Sequence, residues 1–364
     1  MDALMLPLNW QRVRLGDICE IVKGQQINKI SLNNTDKYPV INGGIDFLGY
    51  TNKFNVSKNT IAISEGGTCG YVRFMTSNFW SGGHNYSLQK ISNKVNNLCL
   101  YHILKSYEKD IMKLGVGSGL KNIQLKALKD FKIPLPPLNE QIAIANILSD
   151  LDRYLCTLDA LILKKEGVKK ALRIKMLNQI LASNGVEFKK IGEICLIKRG
   201  RVIAKKILQE NGKYPVYSSQ TLNNGILGFI DTYDFDGEFL TWTTDGAYAG
   251  SVFYRNGRFS ITNVCGLLQV IQDNILHKYL YYILQITAPL HVNPGMGNPK
   301  LMSAAIQQIE IPLPPLNEQS AIANILSALD NEIAGLKNKK RQFENIKKAL
   351  NHDLMSAKIR VLEK

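Results

Sequence analysis

The feature that most constrains this chain is a copy of part of itself. The stretch IPLPPLNEQ occupies residues 133–141 and again residues 311–319. Over residues 133–149 and 311–327, sixteen of seventeen positions agree, and only Ile142 against Ser320 differs. Chance does not produce such a match at a separation of 178 residues, so the chain contains a duplicated unit. Weaker echoes extend the repeat. LGDICEIVKG (15–24) answers IGEICLIKRG (191–200), and KYPV recurs at 37–40 and 213–216. SEGGTCGYVRF (64–74) answers TTDGAYAGSVFY (243–254), and LGVGSGLKNIQL (114–125) lies where HVNPGMGNPKLM (291–302) lies in the second half. The order is therefore a variable part, a constant part, and the same two again, with boundaries read at 1–133, 134–184, 185–311 and 312–364.

The variable parts read as mainly β. NTIAISEGG, GYVRFM, EFLTWTTDG and GSVFYRNGRFSIT are short runs of β-branched and aromatic residues broken by Gly and Asn turns. NNLCLYHILKSY and ILHKYLYYILQI have helical spacing and are expected to pack on the sheets.

The constant parts read as long helices. The Pro-Pro pair cannot join a strand ladder and makes a stiff step out of the sheet. Asn139 and Asn317 are expected to cap the helices, with Glu140 and Glu318 in the first turn where the helix dipole favours negative charge. Apolar positions then recur at heptad spacing: Ile144, Leu148, Leu151, Leu155, Leu158 and Ile162, followed by Lys165, Lys169, Leu172 and Met176. The second copy runs Ile322, Leu326, Leu329, Ile333, Leu336, Lys340, Phe343, Lys347, Leu350 and Leu354. This is an a/d seam with a few lysines in it. SNG at 183–185 stops the first helix. A helix of about 44 residues spans about 66 Å and needs a partner for its stripe. The other copy is the nearest one, so the expected architecture is α+β. Two mainly β domains are each followed by a long helix, and the two helices pair as an antiparallel coiled coil with pseudo-two-fold symmetry. Leu148, Leu151, Leu155 and Leu158 should face Leu326, Leu329, Ile333 and Leu336.

Composition narrows the function. The 364 residues carry a net charge of +15, divided over the four parts as +8, +2, +2 and +3. Such an excess favours polyanions, because each Lys or Arg on a phosphate releases counterions. Six scattered cysteines without a C-x-x-C pair argue against a disulfide scaffold or a zinc knuckle and fit reduced thiols. The start shows neither a secretory signal nor a membrane span, so a cytoplasmic protein is expected. The five histidines form no H-x-x-x-H or H-E-x-x-H pair, and PGMG at 294–297 lacks the G-K-S/T of a phosphate loop. DTYDFDGEF (231–239) lacks EF-hand spacing and reads as a solvated β-turn. No N/D-P-P-Y/F motif or cofactor glycine loop marks a methyltransferase, and no carboxylate cluster with a lysine marks a nuclease.

With the doubled IPLPPLNEQ…ANILS, the long helices behind it and the glycine loop GVGSGLKNI, the chain resembles the specificity subunits of type I restriction-modification complexes over its full length. The resemblance implies two target-recognition domains, each reading one half of a bipartite double-stranded DNA target. The helices would set the spacing and dock methyltransferase subunits, two of them, with motor-nuclease subunits joining through the complex. It implies a non-catalytic chain without a metal or cofactor of its own. S-adenosylmethionine, ATP and Mg2+ would be used by the partner subunits. PGMGNPKLMSAAI fits the family's loop signature poorly, so sites there are less defined.

Base reading needs donors and acceptors on loops that reach a groove. In the first domain the expected DNA-binding residues are Lys23, Gln25 and Gln26, then Glu65, Gly67 and Thr68 with Arg73. His84, Asn85, Ser118, Lys121 and Asn122 complete that set. In the second domain they are Arg199, Arg201, Lys205, Thr244, Asp245, Tyr248, Asn263, Asn298 and Lys300.

Overall fold

The structure is a computed structural model and describes residues 7, 9–182, 185–295 and 297–361. It divides into two compact units, residues 1–160 with 338–364, and residues 161–337. Each unit holds one variable domain, the adjoining part of the helix that follows it, and part of the other long helix. The units thus cut across the linear order of parts.

In the first unit the strands are β1 Gln11–Arg14, β2 Glu20–Lys23, β3 Tyr38–Ile41, β4 Gly49–Thr51, β5 Thr60–Ser64, β6 Val72–Met75, β7 Trp80–Ser81, β8 Asn85–Gln89, β9 Gly115–Val116, β10 Asn122–Ile123 and β11 Lys132–Leu135. A four-stranded sheet runs β2-β8-β5-β6, and a three-stranded sheet β4-β3-β7 lies beside it. Ile61, Ile63, Val72, Tyr86 and Leu88 from the larger sheet pack against Cys99, Leu100, Ile103 and Leu104 of the Asn97–Ser106 helix. Strand β1 pairs antiparallel with β11, which carries the repeated Ile-Pro, so the chain closes the domain just before the proline step.

The second unit repeats the plan with longer strands: β12 Glu187–Lys190, β13 Cys195–Arg199, β14 Tyr214–Tyr217, β15 Ile226–Ile230, β16 Phe235–Thr243, β17 Val252–Ile261, β18 Cys265–Val270 and β19 Glu310–Leu313. Six form one sheet in the order β13-β18-β16-β17-β14-β15, and β12 pairs with β19 as β1 pairs with β11. Even the parallel contact recurs, Val40 opposite Trp80 in the first domain and Val216 opposite Ser260 in the second. The acidic run at 231–239 is not a free turn, because β16 begins at Phe235 within it. Arg201 and Arg258 also neutralise Asp234 and Asp236.

The long helices are Leu138–Ala182 and Leu316–Met355. They start one residue before the expected caps, so Asn139 and Asn317 stand inside the first turn. The repeated glutamine secures each junction instead. Gln141 Nε2 donates to the carbonyls of Pro136 and Lys94, and its Oε1 accepts the N–H of Asn96. Gln319 makes the same three bonds to Pro314, Asn274 and Leu276. Ser183 and Asn184 of the expected stop lie outside the described residues; Gly185 follows with φ at +83°.

Both units show the helix pairing. In the first, Asp152 meets Lys347 and Asp159 meets Lys340, so partner numbers fall as those of the first helix rise. In the second, Glu166 meets Lys337 and Lys169 meets Asp330, again antiparallel. Leu148, Leu158, Leu326 and Ile333 are buried, and Leu151, Leu155, Leu329 and Leu336 are half-buried. The far end of each helix enters the other domain's core, Leu354 and Met355 in the first unit and Ile180 in the second.

Candidate nucleic-acid interface

Polar loop residues can read a base only if the backbone beneath them is fixed. In the first domain, the strand ends and loops interlock through backbone bonds. Gly24 N donates to Asn85 O, Asn85 N to Gly82 O, and Glu65 N to His84 O. Gly70 N donates to Ser64 O, and Ile123 N, at the end of the glycine loop, donates to Glu65 O. The second domain repeats all five. Gly200 N donates to Cys265 O, Cys265 N to Thr262 O, Thr244 N to Val264 O, Gly250 N to Thr243 O, and Leu301 N to Thr244 O.

The correspondence explains one glycine pair directly. A Cβ on Gly24 would stand 2.2 Å from Gly82 O, and one on Gly200 would stand 2.3 Å from Ile261 O. Only glycine lets the strand end approach the loop so closely. It also places the poorly matching PGMGNPKLM, because Leu301 takes the role of Ile123 whatever the intervening letters. Met296 lies outside the described residues.

On this shared frame the side chains differ. Lys23, Glu65, His84 and Asn122 in the first domain stand where Arg199, Thr244, Val264 and Lys300 stand in the second. Lys23, Gln25, Gln26, Gly67, His84, Ser118, Lys121 and Asn122 are exposed, and Thr68 is half-buried. In the second domain Arg199, Arg201, Tyr248, Asn263, Asn298 and Lys300 are exposed and Asp245 is half-buried. Lys205 is exposed on a separate turn, Lys205–Ile207.

Four expected contacts are buried, Glu65, Arg73, Asn85 and Thr244, and of these Glu65 keeps 11% of its side chain exposed at the loop frame. Arg73 is buried and donates through one terminal nitrogen to Gly44 O at 2.6 Å and Ile45 O at 2.7 Å. It stacks beside Tyr71 and Phe47, and burial lowers its pKa. Its role is to hold the 43–48 loop from below, not to reach a base. Asn85 and Thr244 are likewise buried. The second domain has its own buried arginine, Arg255, 3.5 Å from the centre of the Tyr217 ring, with its pKa pulled to about 10 by burial.

Several supporting residues were not singled out from sequence. Asn42 Oδ1 accepts the N–H of His84 at 3.1 Å, and Trp80 Nε1 donates to Gln25 O at 2.8 Å. Tyr86 donates its one proton to Ile123 O at 2.9 Å, shared with Glu65 Oε1 at 3.3 Å; burial, then the Glu65 charge, pushes its phenol up to about 12 and keeps it a donor. The NGG at 42–44 beside the KYPV echo was the available signal for Asn42.

Comparison with known proteins agrees with this geometry. The model of the type I restriction modification DNA specificity domain matches twice, over residues 7–165 and 183–345. The specificity subunit of a type I restriction enzyme of Mycoplasma pneumoniae is 47% identical over 141 residues, 38% of this chain and 42% of that one. A second Mycoplasma pneumoniae chain, provisionally named a type I specificity subunit N-terminus, is 53% identical over 138 residues, 38% of this chain and 74% of its own. The crystal structure of the S subunit of a type I restriction-modification system from Mycoplasma genitalium superposes with a TM-score of 0.76 at 25% identity, covering 96% of this chain and 98% of that one.

Proposed function

We propose a function from the premise that the chain belongs to the family of type I restriction-modification DNA specificity proteins. It is the DNA sequence-recognition subunit of such a complex and is not itself an enzyme. Each domain reads one half of a bipartite double-stranded target, and the paired helices set the spacing and dock the methyltransferase. One observation carries this reading: two domains share a hydrogen-bonded loop frame yet present different side chains on it, while their helix junctions are the same. Readers of different bases must differ, and frames that fit the same partner must not.

The equivalence of the two junctions supports two methyltransferase subunits, one at each, with motor-nuclease subunits added through them. S-adenosylmethionine, ATP and Mg2+ act in those partners. The work of this chain is positioning, which turns base contacts into placement of a partner's active site. A cytoplasmic location follows from that role, and among the described residues no helix is long and apolar enough to cross a membrane.

The test is base-by-base mapping of methylation in DNA exposed to this chain with its co-expressed methyltransferase. The expected result is modified bases within one split motif of two short blocks and a constant gap. A partner that co-purifies without producing any split motif would remove the DNA-reading role.

A further inference from the structure

We propose that Glu65 reads an exocyclic amine, the N4 of cytosine or the N6 of adenine, at one position of the first half-target, and that Asp245 does the same in the second. The inference rests on the DNA-reading role above and names the chemistry of the contact.

Glu65 sits at the centre of the first domain's loop frame, its side chain only 11% exposed. One oxygen is held: Oε1 accepts from Lys23 Nζ at 2.6 Å and lies 3.3 Å from the Tyr86 hydroxyl, whose one proton it shares with Ile123 O. The other accepts no hydrogen bond from the described residues; the imidazole Nδ1 of His84 lies 3.7 Å from it. The carboxylate is therefore clamped through one atom and open at the other, while its backbone is held by His84 and Ile123. In the second domain Asp245 follows Thr244, the backbone counterpart of Glu65. Its Oδ2 accepts from Thr244 Oγ1 at 2.5 Å, and its Oδ1 lies 4.0 Å from Lys300 Nζ. Each reader thus presents one carboxylate with one oxygen held and a lysine beside it.

A carboxylate on a DNA-facing surface repels phosphates and costs desolvation, so it weakens binding unless it meets a donor. In the major groove the base donors are cytosine N4 and adenine N6. Guanine and thymine offer lone pairs there, which an acceptor-only group rejects. On the contacted strand, one position should therefore be restricted to A or C, with a discrimination of about ten- to a hundredfold against G or T.

The experiment uses the full chain co-expressed with its methyltransferase and compares wild type, Glu65→Gln and Asp245→Asn by methylation mapping. An amide of the same shape keeps the lysine and tyrosine contacts but can also donate, so it should admit G or T. The expected result is that Glu65→Gln relaxes a single A-or-C position in one block and Asp245→Asn relaxes one in the other, with the gap unchanged. Unaltered motifs in both variants overturn the inference and leave the function standing. Complete loss of methylation from an intact complex assigns the carboxylates to holding the fold and overturns it as well. A wild-type complex without a split motif takes down the function and this inference together.

Discussion

Gln141 and Gln319 end the repeated nine-residue stretch, and their hydrogen bonds explain why that letter recurs. Each is buried and ties the proline step to the loop ahead of a domain helix. Gln141→Ala would leave the half-buried Asn96 N–H without its acceptor, which costs about 1 kcal/mol, below the full penalty of a buried donor. Denaturant unfolding should show that loss, and an unchanged midpoint would mean the clamp is dispensable. His102 sets a second expectation. Burial lowers its pKa from 6.5 to about 4, the neighbouring Lys347 charge adding a smaller push, with Asp152 opposing. The native protein therefore holds His102 neutral where the unfolded chain takes up a proton, so stability falls as pH drops from about 6.5 towards 4. The loss between pH 7 and pH 5 should be on the order of 2 kcal/mol, and His102→Phe should flatten it. In the second unit Tyr282 packs beside Tyr281 as His102 does beside Tyr101, so no comparable loss is expected there. At this scale sequence was a weak guide. Arg73 suits a contact by residue type, yet its carbonyl partners lie 28 and 29 residues away and bury it.

At the scale of elements, the seam lysines acquire a reason. The offset that relates the two IPLPPLNEQ copies also carries Asp152 to Asp330 and Lys169 to Lys347. The pairs Asp152–Lys347 and Asp330–Lys169 are therefore one interaction made twice, with the helices exchanging roles. At the neighbouring site the copies have diverged: Lys165 meets Glu332 in the second unit, while Tyr154 stacks with Phe343 at 4.7 Å in the first. A polar pair in an apolar seam is worth little in stability against a good apolar replacement, but it penalises a slipped register. Lys169→Asp should set two carboxylates against each other and destabilise by about 1 to 2 kcal/mol, and Lys169→Asp with Asp330→Lys should recover most of it. Failure of the double exchange to recover would show that Tyr282, which donates to Asp330 at 2.8 Å, fixes that carboxylate more than the lysine does. The seam, the helix lengths and the β character of the domains were legible in sequence, since periodicity and repeats carry them. Register was not, because the lysine and its carboxylate stand 161 residues apart. Nor was the loop frame, whose backbone bonds leave no mark on residue type except at Gly24 and Gly200.

At the scale of the whole molecule, the helices of 45 and 40 residues are continuous through both compact units, which divide at residues 160/161 and 337/338. If the helices set the spacing of the two half-targets, their length is a ruler that can be edited. One heptad added to each helix at those divisions keeps the a/d seam in phase and lengthens each by about 10.5 Å. Duplex DNA rises about 3.4 Å per base pair, so the gap in the methylated motif should grow by about 3 base pairs while both blocks keep their sequence. The duplex rotates by about a third of a turn over that length, so some loss of methylation rate is expected alongside the new gap. A heptad added to one helix alone should misalign the pairs Lys169–Asp330 and Lys347–Asp152 against their apolar neighbours and destabilise the chain without defining a new gap. Methylation mapping of the doubly lengthened chain decides the matter. An unchanged gap would mean the partner subunits, and not these helices, fix the spacing; a changed block sequence would mean the domains do not read DNA independently of the frame that carries them.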